Sequence, residues 1–144
     1  MYPSTTSVFR AVRQIIFDNA TPEHAFCFSL DNTVDAGPQQ LGELFEQASD
    51  FFMAEIEVET VTKAGPGTTT PRRMFAGLDL HFMTKDRMDD LGARDKLEEI
   101  AGWFASQTID GIRFREYAPT GDGELIGFVR YSATIPFECE LEPR

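Results

Sequence analysis

Between Arg73 and Tyr117 the hydrophobic period changes twice, and that succession constrains what the rest of the chain can build. Met74, Ala76, Leu78, Leu80 and Phe82 fall on one face of an alternating run, with Gly77, Asp79 and His81 on the other, which is the period of a half-buried strand. So continuous an apolar face places this strand near the centre of a sheet. From Asp86 the period becomes helical: Ala93, Leu97, Ile100, Ala101 and Phe104 recur on one stripe, and Asp86, Asp89 and Asp90 sit where the positive end of a helix dipole favours carboxylates. Gly92 costs a helix roughly 1 kcal/mol relative to Ala, so the regular helix is expected after it, with Asp86 to Leu91 as a separate turn. Beyond Gln107, Gly111 admits a short strand with Ile112 and Phe114 inward and Arg113 and Arg115 outward. The unit reads strand, helix, strand.

The flanking segments are expected to extend the same sheet. Ser4, Thr5 or Thr6 caps a first helix whose stripe is Val8, Phe9, Val12, Ile15 and Ile16, and which ends near Asn19. A short strand follows at His24 to Leu30. Asp31-Asn32 and Gly37-Pro38 punctuate the next stretch, and Leu41, Leu44, Phe45 and Ala48 suggest a short amphipathic helix. From Phe52 alternation resumes, with Ala54, Ile56 and Val58 on one side and Glu55, Glu57 and Glu59 on the other. Lys63 to Arg73 is too rich in Gly, Pro and Thr for regular structure and reads as a long, mobile hairpin loop. Ala118 to Leu125 reads as a second loop before a last strand, where Val129, Tyr131, Ala133, Ile135 and Phe137 alternate with Arg130, Ser132, Thr134 and Pro136. Pro136 lacks a donor and predicts a sheet edge there, and the tail from Glu138 is expected to fray. The prediction is one α+β domain over residues 1–144: a mostly antiparallel sheet of about five strands, two main helices on one face, and a long loop protruding between two strands.

A chain of 144 residues buries enough surface to fold without staples, roughly 70% of what it exposes unfolded. No apolar run approaches the roughly 20 residues that span a bilayer, and the first residues lack the apolar centre of a secretory signal, so a cytoplasmic setting and no membrane partner are expected. Cys27 and Cys139 have no metal-type spacing and read as buried free thiols. With 24 acidic against 13 basic side chains, the net charge of −11 opposes general adhesion to nucleic acid.

Catalysis requires convergent groups, and few are visible. His24 and His81 belong to no recognisable triad. Gly65-Pro66-Gly67 and Gly121-Asp122-Gly123 lead into no phosphate-binding helix, and Asp86, Asp89 and Asp90 lack the spacing of a calcium loop. No catalytic residue, metal or cofactor is assigned. The residues expected to work are interface residues. Glu55, Glu57 and Glu59 form one acidic row, Arg113, Arg115 and Arg130 lie on other strands and could balance it within the subunit or across an interface, and Lys63, Thr68, Thr69, Arg72 and Arg73 belong to the loop.

By order and length, nearly the whole chain resembles the tail terminator proteins of long-tailed bacteriophages. The resemblance rests on a first amphipathic helix, a strand and an Asp31-Asn32 turn, two long strands with the Lys63 to Arg73 loop between them, and the signature Gly77-Leu78-Asp79-Leu80. It continues through an acidic turn into a helix of the type DKLEEIAGWF, a strand at Gly111-Ile112-Arg113-Phe114, and a closing strand with Ile135-Pro136-Phe137. The chain departs from the pattern between Thr33 and Phe51. The resemblance implies a structural virion protein of the tail and neck, assembled in the host cytoplasm. As such it would form a hexameric ring on the head-proximal end of the tail tube, stop tube polymerisation and meet the head-tail connector, with DNA only passing through. Two other readings are another connector component, such as a stopper or minor capsid protein, and a small ligand-binding or enzymatic domain using His81 or Glu116.

Overall fold

The computed structural model describes residues 1–22, 24–29, 49–63 and 65–144, with the side chains of residues 27–29 also outside the description. The Asp31-Asn32 turn and the helix expected at Leu41 to Ala48 lie outside the described residues, as does the side chain of Cys27.

The elements are α1 (Thr5–Asn19), β1 (Phe26–Ser29), β2 (Asp50–Lys63), β3 (Arg72–Thr84), α2 (Asp90–Ala101), β4 (Thr108–Ile109), β5 (Ile112–Phe114), β6 (Ala118–Leu125) and β7 (Phe128–Leu141). The fold is α+β. Among the described residues one sheet runs β1-β2-β3-β7-β5-β4, and β6 also pairs with β7. That makes seven strands where about five are expected. All neighbours are antiparallel except β1 and β2, which run parallel from Phe26 opposite Phe52 to Ser29 opposite Glu55.

β3 occupies the central place that its alternation predicts, with β2 along one side and β7 along the other for its whole length. Met74, Ala76, Leu78, Leu80 and Phe82 are all at most 2% exposed. Val8, Val12, Ile15 and Ile16 of α1 and Ala93, Leu97, Ile100 and Ala101 of α2 belong to the same apolar core as that face of β3. The opposite face carries a smaller cluster of Phe51, Met83 and Phe128, with the Phe51 and Phe128 rings edge-on at 5.2 Å. Cys139 is a buried free thiol whose pKa burial pushes up to about 11. No helix among the described residues is long and apolar enough to cross a membrane.

Four expectations are corrected. Ala118 to Leu125 is a strand, because a two-residue turn at Ile126 and Gly127, both at positive φ, folds it back onto β7, and a bulge between Thr120 and Gly123 absorbs the glycines. Pro136 lies inside the sheet opposite Gly77 and not at an edge. Its carbonyl accepts from the Arg115 N–H, and since N–H and C=O of a strand residue point the same way, its missing donor faces the gap between β5 and β6. The tail is ordered through Leu141, which is buried; Tyr2 donates to the Glu140 carbonyl and accepts from the Glu142 N–H. Finally, α2 begins before Gly92. Asp89 is its N-cap and accepts from the Gly92 N–H at 2.9 Å, and the capping carboxylate lies where a Cβ at residue 92 would sit.

Ser4 is the residue that caps α1. Its hydroxyl accepts from the Ser7 N–H at 3.2 Å while the Ser7 hydroxyl accepts from the Ser4 N–H at 3.1 Å, a reciprocal box.

Candidate interaction surface

Lys63 and Arg72 form the last pair of the β2–β3 ladder, so the loop is limited to residues 64–71, shorter than the expected Lys63 to Arg73. It is also bonded internally. Lys63 Nζ donates to the Gly67 carbonyl at 2.8 Å, and Thr70 Oγ1 donates to the Pro66 carbonyl at 2.8 Å. Gly67 takes φ of 105°, a conformation that favours glycine. Thr68 and Thr69 stand exposed at the tip. Arg72 and Arg73 lie at the base rather than the tip, where Arg72 Nε donates to the Glu142 carbonyl at 3.0 Å and Arg73 pairs with Glu140 at 3.7 Å.

The acidic row divides into three environments. The β2–β3 register shifts between Val58 and Thr60, so Glu59 sits at a bulge and leaves the alternation that groups it with Glu55 and Glu57. Glu57 and Glu59 are exposed, and every residue from Glu57 to Lys63 is exposed although all are in strand. Glu55 is half-buried. Its carboxylate lies 3.5 Å from His81 Nε2, and this contact, followed by the charges of His81 and Arg130, holds its pKa below the ordinary value against the opposing effect of burial.

The basic residues do not form a row opposite these glutamates. Arg113 and Arg115 converge on a single carboxylate, Glu138 of β7, at 3.5 and 3.2 Å. Arg130 does approach the acidic row: its charge acts on Glu55, and its Nε is buried with no hydrogen-bond partner among the described residues. Complementarity between the two sets is therefore largely absent within the subunit, and Glu57 and Glu59 face outward.

A polar line crosses three strands that the sequence alone does not bring together. Ser132 Oγ lies 2.7 Å from His81 Nδ1, and His81 Nε2 faces Glu55; beside it Thr134 Oγ1 donates to Asp79 at 2.6 Å. The order hydroxyl, imidazole, carboxylate is that of a nucleophilic triad, yet Ser132 is 5% exposed, and the strand pairing places it directly opposite His81. The contacts tie β2, β3 and β7 together on the face away from the main core. The signal that could have revealed them is alternation: His81, Ser132 and Glu55 are each the outward residue of their strand.

The aspartates considered as metal ligands have other partners. Asp90 and Asp122 both bond Arg94, Asp89 caps α2, and Asp86 accepts from the Met88 N–H at 2.9 Å. Among the described residues no group of three or more His, Cys, Asp or Glu side chains is arranged to hold a metal ion. Glu116 accepts from Ser106 at 2.8 Å on the surface, away from His81 in the sheet. No protein-family model matches the chain, and no curated protein matches it in sequence.

Proposed function

We propose that this chain is an assembly subunit of the tail-terminator kind, which closes into a hexameric ring on the end of a phage tail tube and offers its other side to the head-tail connector. The observation that carries the reading is the stretch Glu57–Lys63, exposed throughout while still laddered to β3. A sheet strand ordinarily buries one face, and here, among the described residues, Val58 and Val61 keep 36% and 38% of their surface exposed, which suits a segment completed by a neighbouring subunit or the tube. Glu57 and Glu59 add charge that a partner's basic groups could meet in a single register. The net charge of −11 agrees with a channel through which DNA slides without sticking.

Negative-stain imaging of the purified protein, alone and mixed with tail tubes, tests the reading. Rings and capped tubes are expected from the intact chain, with both lost on deleting residues 64–71 while the far-ultraviolet circular dichroism stays unchanged. If the deletion leaves ring formation and capping intact, the hairpin does not make the contact. Co-sedimentation with DNA-filled heads but not with tubes would instead assign the chain to the connector.

A further inference from the structure

Away from the hairpin, a cleft of about 310 Å³ opens between α2 and the sheet, lined by His24, Asp50, Phe52, Phe82, Lys96 and Glu99. Its inner wall is aromatic. The Phe52 and Phe82 rings lie 4.9 Å apart, and the His24 ring packs 5.7 Å from Phe52 and edge-on at 5.2 Å from Trp103.

The His24 ring is oriented by Thr21. The Thr21 backbone N–H donates to His24 Nδ1 at 3.0 Å, and the Thr21 hydroxyl lies at the same distance from that nitrogen. The other ring nitrogen, Nε2, lies 3.6 Å from Glu99 Oε1. Among the described residues, the lining sets two carboxylates, Asp50 and Glu99, beside one ammonium, Lys96, and the His24 ring. Asp50 is held in place by Thr84, whose hydroxyl donates to Oδ1 at 2.7 Å.

One cation already stands in the cleft. Lys96 Nζ lies 5.3 Å over the centre of the Phe82 ring and 3.6 Å from Asp50 Oδ2. It is loosely held: its side chain is 53% exposed, and the distance to Asp50 is too long for a strong charge-assisted hydrogen bond. Glu99, 59% exposed at the mouth, faces the His24 ring, and no Lys or Arg pairs with it among the described residues.

We propose that this cleft is a receptor for one basic side chain of a protein partner, an arginine, with Lys96 as the place-holder that yields it. A guanidinium is planar, stacks on an aromatic face and bonds carboxylates from two edges, which the Phe82 ring, only 2% exposed and covered by Lys96, and the carboxylates of the same lining call for more closely than a compact ammonium does. The two carboxylates of the lining disfavour phosphate-bearing ligands, and the volume lies at the small end for ligand pockets. The assignment does not depend on the ring reading, since it rests on residues outside the hairpin.

Titration of the full chain with n-butylguanidinium at constant ionic strength tests it, read by the fluorescence of Trp103, the one tryptophan of the chain, and by the backbone amide NMR shifts of Thr21, Phe52 and Lys96. A saturable change is expected in the wild type. Lys96→Ala should tighten it several-fold by removing the competitor, while Asp50→Asn and Glu99→Gln should each weaken it several-fold. Circular dichroism of each variant establishes that it is folded. No saturable change in either the wild type or Lys96→Ala overturns the proposal, as does binding that survives both carboxylate replacements unchanged. Tighter binding of n-butylammonium than of n-butylguanidinium overturns the choice of arginine.

Discussion

Asp89 and Gly92 act as one unit. A Cβ at residue 92 would lie 2.1 Å from Asp89 Oδ2, so the glycine that looks like a flaw in the helix is the space in which its cap sits. The usual gain from Gly→Ala in a helix should therefore be reversed here. Gly92→Ala is expected to lose about 0.5–2 kcal/mol, the worth of an N-cap. In an Asp89→Ala background the same change should become neutral or stabilising by up to about 1 kcal/mol. Urea denaturation of the four proteins measures the coupling, and additive effects would refute it. This pairing was not legible in the sequence, because propensity treats residues singly, and it led to placing the helix start too late. The outward residues were legible individually, since alternation puts Glu55, His81 and Ser132 on one side of their strands. Their meeting was not, because it depends on which strands become neighbours and in what register.

The elements with an apolar period were the readable ones. α1, β3, α2, β5 and β7 follow from 3.6- and 2-residue patterns, each of which buries a continuous face in the main core. β6 escaped because no such face exists in it: it is mostly exposed, and its place comes from the hairpin turn rather than from burial. That turn retains a local conflict. Ile126, a β-branched residue, adopts φ of 49° while its side chain is 70% exposed, so it bears a backbone cost with little burial in return. Ile126→Asn, which creates the Asn-Gly sequence suited to such a turn, should stabilise the protein by about 1 kcal/mol. Thermal or urea unfolding checks it, and a destabilised variant would mean that the Ile126 side chain makes a contact worth more than the strain. Pro136 illustrates the opposite kind of misreading: the rule that proline avoids sheet interiors holds for the missing donor, and here the break between β5 and β6 meets that requirement without an edge.

For the whole molecule, composition and order sufficed for one α+β core with β3 at its centre, whereas the number of strands and the parallel β1–β2 pair required the three-dimensional arrangement. The interface residues divide along the same line. Exposure of Glu57 and Glu59 follows from local pattern, but the capture of Arg113 and Arg115 by Glu138 depends on β5 lying against β7. The bridge between Tyr2 and Leu141 places residues from opposite ends of the described fold side by side on the sheet. A circularly permuted version, with a short glycine-serine segment joining residues 144 and 1 and new termini opened at the β6–β7 turn, should retain the native circular dichroism spectrum and cooperative melting. Such a rearranged protein would leave the β2–β3 projection continuous while freeing the far corner for tags or surface attachment, and a molten product would mean that the severed turn is needed to specify the sheet.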